Sequence, residues 1–446
     1  MASKEVNRRQ FLKHAGATAA LLGLSELMIV STGCTSGQKK TKVTAIPCLY
    51  DHHSHTSLYI AFSNSVSFWD TSEKARALEI VSGMPSDELN LVLGWDRNDF
   101  TFTDEELDGL PPVIIVHYSL HNLVMSKAAE EIVQESDPDI ATNYKDQEWY
   151  EKNIGKVLSF LGSVPPVTVD DVENHLREIE KSGVTHVHDM LLANEEVFRV
   201  VQGSPMADRV TFWASPELYD ELPPDVQQKI RGIKVFTDGG ITPQTSAMLK
   251  PYPGGTNKGL LCYEDEALLD LTRKVAEWSK AIALHAVGDR AVRQILKTLR
   301  AHKSGDLWFP EVRIEHAQFI SAEQARDAKD LGVILSMQPN FSYDSVSLSK
   351  SLPAGYPAKN NPFRMLIDEA GFVPGDNLIF GSDGMPHGAT TALEAALFPP
   401  EEGQELTLEE FTEGYTLPSE KTELDIQIDY ENKRVELLQC REGFRI

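Results

Sequence analysis

Cysteine is scarce, with only Cys34, Cys48, Cys262 and Cys440 in 446 residues. None belongs to a Cys-x-x-Cys pair, which argues against a thiolate zinc site, and the spacings define no disulfide. Positive charge is also short. Against 67 Asp and Glu stand 42 Lys and Arg, for a formal net charge of -25. Such a surface repels phosphate, which argues against nucleic-acid binding. No apolar run reaches the ~18 residues of a membrane span. Internal repeats and low-complexity tracts are missing too. The remaining composition, 41% hydrophobic, is that of a globular protein. The chain is long for one average domain, yet compatible with a single large barrel carrying insertions.

The N-terminus reads as an address. Asn7-Arg8-Arg9-Gln10-Phe11-Leu12-Lys13 resembles a twin-arginine export motif, and an apolar stretch, Ala15 to Val30, follows. Residues 1–33 are therefore expected to be a signal peptide. Ser31-Thr32-Gly33-Cys34 is similar to a lipoprotein processing site, which makes a lipid anchor at Cys34 plausible. Such a chain would meet export machinery for folded proteins and end as a periplasmic or membrane-anchored protein. Loss of the signal removes four cations and two anions, so the mature chain is still more acidic. Residues 34–44 read as a polar tether.

The short run Asp51-His52-His53-Ser54-His55 follows an apolar segment, Ala45 to Tyr50, that reads as a strand. Residues two apart on a strand point the same way, roughly 7 Å apart. His53 and His55 thus share a face and can converge on one divalent metal, for which imidazole suits zinc. His52 alternates away. Seven more candidate strands follow: Val184–His188, Val210–Ala214, Ile233–Phe236, Ala281–His285, Val312–His316, Val333–Met337 and Leu378–Asp383. Helical patterns separate many of them, such as 169–181, 264–278, 289–300 and 322–331. This alternation predicts an α/β fold, a (β/α)8 TIM-like barrel over residues 45–400. The span 56–182 is a long insertion after the first strand, read as a substrate-covering subdomain. Residues 401–446 predict a helix opened by a Thr407/Glu410 capping box, then a β-hairpin.

In a barrel, the carboxyl ends of the strands face the active site. There the first strand offers His53 and His55, the fifth His285, the sixth His316 and the eighth Asp383. The fourth carries Lys234. Thirteen histidines scattered at random would seldom end strands this often. The pattern suits metal-assisted hydrolysis, in which neutral imidazoles hold the metal and Asp383 moves a proton from water to the leaving nitrogen. Lys234, a cation beside a metal, would serve if carboxylated by carbon dioxide. It would then be an anionic bridge between two ions. Unmodified, it would contact substrate or a carboxylate.

Eight runs together resemble the amidohydrolase superfamily, specifically family 3, which includes N-substituted formamide deformylases. They are Asp51-His52-His53-Ser54-His55; Gly94-Trp95-Asp96-Arg97-Asn98; His121 to Ala128; Gly183 to Asp189; Ile233 to Gly239; His285 to Val292; Arg313 to Gln318; and Gly381-Ser382-Asp383. The resemblance spans roughly residues 50–390. It implies that His53, His55, His285, His316 and Asp383 are metal ligands, that Asp383 is the base, and that Lys234 bridges. Members usually carry strand-rich segments before and after the barrel that form a β-sandwich. Here that domain is expected to be absent or reduced to the 424–438 hairpin.

Other residues have quieter readings. Trp95 shapes the pocket or packs. His121 could touch substrate, and Asp289 either caps a helix or binds substrate. His186 and His188 belong to the core or to the surroundings of the site. His14, His175 and His302 look solvated, and His387 could reach the site. The leading function is an exported metal-dependent hydrolase of C–N bonds in a small amide, formamide or cyclic amide. The alternatives are a mononuclear deaminase-type aminohydrolase and a non-catalytic ligand-binding lipoprotein. Homo-oligomerisation stays open.

Overall fold

The computed structural model describes residues 41–63, 65–164, 166–303, 309–417 and 422–442. The signal peptide and Cys34 lie outside them. In chain order the strands are β1 Thr41–Pro47, β2 Leu49–Ser54, β3 Val66–Ser67, β4 Asn90–Trp95, β5 Val113–His117, β6 Leu123–Met125, β7 Val184–Asp189, β8 Val210–Ala214, β9 Gly232–Phe236, β10 Ala281–Ala286, β11 Val312–His316, β12 Ile334–Met337, β13 Leu378–Phe380, β14 Thr422–Asp429 and β15 Arg434–Glu442.

Eight of them form one sheet in the order β13-β12-β11-β10-β9-β8-β7-β2. All ladders within it are parallel. With helices between the strands, this is a nearly closed (β/α)8 barrel. Strand β10 shows why: every residue of Ala-Ile-Ala-Leu-His-Ala is buried. A parallel strand covered on both faces reads as an apolar run, not an alternating one. The helices present one apolar stripe each. Val172, Leu176 and Ile179 are the buried positions of helix Val169–Lys181, which Thr168 and Asp171 open with a reciprocal cap.

Between β13 and β2 the described residues form no ladder, and individual backbone and side-chain hydrogen bonds close the seam instead. The Asp383 amide donates to the His53 carbonyl at 2.6 Å. The Asp51 carboxylate accepts from the amides of His53 (3.1 Å) and Ser382 (2.9 Å) and from the Ser382 hydroxyl. Gly381 is required here, since a Cβ would stand 2.4 Å from the His53 nitrogen.

The insertion builds its own four-stranded sheet, β3-β4-β5-β6. One face packs on Phe68, Ala77, Val81 and Phe100. The other packs with the helices of 127–161 and reaches the barrel at Leu191 and Phe236. The acidic stretch 130–150 is largely helical.

A third, antiparallel sheet runs β1-β14-β15. Two expectations change here. The first strand is not one piece: at Cys48 it passes from the outer sheet into the barrel. The polar tether is also shorter than 34–44, because pairing of Thr41 with Asp429 starts β1 at residue 41. The expected hairpin therefore gains a third strand. The helix Leu408–Tyr415 starts at the Thr407/Glu410 capping box, as the sequence indicates.

Candidate metal centre

The strand ends bring six predicted residues together. His53 Nε2 lies 3.4 Å and His55 Nε2 3.2 Å from Asp383 Oδ1. These three form a metal-competent group among the described residues. Lys234 Nζ, fully enclosed, lies 3.3 Å from His53 Nε2 and 5.0 Å from the centre of the Phe236 ring. His316 sits edge-on to His285, with ring centres 4.6 Å apart, and 4.8 Å from the ring of His53.

Partners fix the tautomers. His53 Nδ1 is 2.5 Å from Glu315 Oε2, and His316 Nδ1 is 2.7 Å from Gln338 Oε1. Both acceptors place the proton on Nδ1 and leave the Nε2 lone pair for the centre. Burial, reinforced by Lys234 for His53 and by His285 for His316, holds both imidazoles far below the usual histidine range, so both are neutral. Burial would raise the Asp383 carboxyl, but the hydrogen bond from His55 and the nearby charges hold it low, so it is an anion. Burial pushes Lys234 down to about 8, against the pull of Glu315 and Asp383.

The backbone is strained at two of these positions. His316 has φ +71° and Asp383 has φ +59°. Left-handed backbone at non-glycine residues costs on the order of 1–3 kcal/mol each and persists where surrounding structure imposes it.

This donor set fits a divalent metal. It combines neutral imidazoles with a carboxylate, and His285 Nε2 and His55 Nδ1 are buried nitrogens without a hydrogen-bond partner among the described residues. His285 Nε2 has only the Asp238 carboxylate at 3.4 Å. Asp238 is committed elsewhere, accepting from the amides of Ala247, Val287 and Gly288 and so tying the loops after β9 and β10 together.

Beside the centre is a cavity of about 50 Å³ lined by His121, His285, His316, Gln318, Phe341 and Asp383, among others. Ser119 and His121 reach it from the insertion. His121 Nδ1 is 2.8 Å from Glu151 Oε2. Burial lowers its pKa, but the fully buried Glu151 outweighs this and the net shift is upward. Gly240 allows the approach, since a Cβ would stand 2.8 Å from the His121 ring.

The amidohydrolase family profile matches residues 43–408. The chain belongs to this amidohydrolase family. Residues 5–25 match the twin-arginine signal. The amidohydrolase chain is 25% identical over 297 residues to YtcJ of Bacillus subtilis, an amidohydrolase by name. That match covers 58% of this chain and 54% of YtcJ. It is 30% identical over 125 residues to LONG AFTER FAR-RED 3 of Arabidopsis thaliana, covering 27% of this chain and 21% of that protein. The chain thus spans about half, or less, of the relatives it matches. Solved structures share its fold, two of them with TM-scores near 0.6. The uncharacterized metal-dependent hydrolase of Pyrococcus furiosus has TM-score 0.62 and 21% identity, covering 84% of this chain and 81% of that one. Its counterpart from Pyrococcus horikoshii has TM-score 0.59 and 22% identity, with 80% and 74% covered.

Some of the amidohydrolase's predicted site residues lie elsewhere. Trp95 packs inside the insertion, its indole donating to the Phe100 carbonyl at 2.9 Å. Asp289 does not face the cavity: Tyr356 OH (2.6 Å) and the Leu249 amide (2.8 Å) occupy its carboxylate. His52 and His188 lie together in the barrel interior, where His188 meets Tyr50 OH at 3.0 Å and the Trp213 indole at 3.1 Å. His387 stops short of the centre, 2.6 Å from Ser54 Oγ. His302 is not solvated, because Thr272 of a neighbouring helix holds it at 2.8 Å in the core. His175 is half-buried against His387, and burial pushes it down to about 4. His14 lies outside the described residues.

Sequence reasoning missed Glu315 and Gln338. Glu315 carried a signal: a charged residue inside a parallel barrel strand must have a buried partner.

Proposed function

We propose that this amidohydrolase is an exported metal-dependent hydrolase of C–N bonds in a small amide, formamide or cyclic amide. The reading rests on the convergence of His53, His55, Lys234 and Asp383 within 3.2–3.4 Å contacts at the carboxyl end of the barrel. His53, His55, His285, His316 and Asp383 would hold the metal, zinc by donor type. Lys234, depressed to about 8, offers a larger neutral-amine fraction for carboxylation and would then join the ligands as a bridge. When bound, a divalent metal polarises a carbonyl and makes water acidic.

The chain's own groups do the rest. Asp383 stays an anion and accepts the proton of the attacking water, then returns it to the leaving nitrogen. His121 gives Nδ1–H to Glu151, so its Nε2 donates to the substrate carbonyl in the protonated imidazolium, the form that the upward shift favours. The cavity of about 50 Å³ has space for only a few waters. A lipid anchor at Cys34 would keep the enzyme at the outer side of the membrane.

Metal analysis with turnover assays on N-acyl, formamide and cyclic amide substrates tests the reading. The binuclear form with carboxylated Lys234 requires on the order of two equivalents per chain. Asp383→Asn is expected to lose roughly 10²–10⁴ in kcat with the fold intact. Full activity in that variant, or no bound metal at any pH, would sink it.

A further inference from the structure

We propose that Cys48 and Cys440 become joined by a disulfide once the protein has left the cytoplasm. Their Sγ atoms lie 3.2 Å apart across 392 positions of sequence. Cys48 occupies the one-residue break between β1 and β2 and is fully buried, its amide held by the Thr422 carbonyl at 3.0 Å. Cys440 lies on β15, opposite Leu424, and is partly exposed. Both side chains pack in the layer between the outer sheet and the barrel. A disulfide sulfur pair sits ~2.05 Å apart, so the two atoms need to approach by only about 1 Å. Cys262 is no competitor, being buried beside the Glu151 carbonyl at 3.6 Å.

The second observation is the address. The twin-arginine signal sends the chain out of the reducing cytoplasm to where disulfides form and persist. Folding first would set the two thiols side by side before any oxidant is met. The oxidant is a disulfide, protein-borne or small. Cys440, the accessible thiol, attacks it as the thiolate, forms a mixed disulfide and releases one oxidant sulfur. Cys48 then attacks the Cys440 sulfur and releases the second. Two electrons pass to the oxidant, and the two cysteine protons end on its thiols. The new bond ties the C-terminal strand to the root of β2, the strand that carries His53 and His55.

The test uses the full exported protein, purified without reductant and denatured in excess iodoacetamide. Peptide mass analysis is expected to find Cys48 and Cys440 unalkylated and in one linked peptide that reductant splits. The same chain held in the cytoplasm by Arg8→Lys with Arg9→Lys should alkylate at both. Reduction should lower the melting temperature of the exported protein by roughly 3–6 °C and leave Cys440→Ser unmoved. Alkylation of both cysteines in the exported protein, or linkage of Cys48 to Cys34 or Cys262, overturns the proposal. A bond already present in the cytoplasmic form overturns its dependence on export.

Discussion

Asp51 shows how a single carboxyl is tuned by place. It is enclosed at the barrel seam, and burial pushes it up to about 7 despite three hydrogen bonds. A carboxyl raised on folding binds its proton more tightly in the native state than in the unfolded chain. Its contribution is thus fully present below about pH 4 and lost as pH rises through about 7. Relative to Asp51→Asn, the wild-type chain should lose stability across that window, as read by denaturant melts; parallel profiles would refute the assignment. Glu315→Gln is expected to weaken metal affinity by roughly 10–100-fold, because the group orienting His53 becomes a weaker acceptor; competition titration reads this. The convergence of His53 and His55 was legible, since strand period and side-chain type suffice to put them on one face. Glu315 and Gln338 were not read as partners because their roles depend on which strand ends the closed barrel brings together, Glu315 meeting His53 across its interior. The same holds for His302, which looks solvated beside Arg300 and Lys303 until Thr272 arrives from another helix.

At the scale of elements, the insertion supplies a latch. Gln147 donates to both the His121 carbonyl and Glu151, at 3.0 Å each, and Thr245 of the loop after β9 donates to Glu151 at 2.7 Å. Glu151 thereby joins insertion, loop and His121. Glu151→Gln should leave the metal content unchanged and raise KM more than it lowers kcat, since it loosens the wall that presents His121. A kcat loss at constant KM would instead mark Glu151 as part of the chemistry. The helices were readable from caps and apolar stripes, both local signals. The pairing of β1 with β14 was not, because the two partners lie at opposite ends of the chain and neither alternates in a way that names the other.

At the scale of the whole molecule, the proposed centre gathers side chains from distant parts of the barrel sheet. Because the proposed metal ligands come from β2, β9, β10, β11 and β13, any ion they hold would stabilise the folded barrel over the unfolded chain. At a hundredfold excess over Kd this amounts to about 2.7 kcal/mol. Chelation should lower the melting temperature by a few degrees, and His285→Ala should abolish the difference; a melting curve indifferent to chelator would count against the ligand set. No helix among the described residues is long and apolar enough to cross a membrane.

The seam between β13 and β2 has a dynamic consequence. Seven neighbouring strand pairs share parallel ladders, while this eighth contact rests on the Asp383 amide, the Asp51 carboxylate and the fit of Gly381. It is the one junction of the eight that lacks a ladder among the described residues. His53 and His55 stand on one lip and Asp383 on the other, so an ion held by all three would rivet the slit shut. Amide hydrogens of Ser382 and Asp383 should then exchange with solvent slowly in the loaded protein and early after stripping, ahead of those of β10 and β11. Such a barrel would breathe at the line where its reaction takes place, and the ion that performs the chemistry would also set the rhythm.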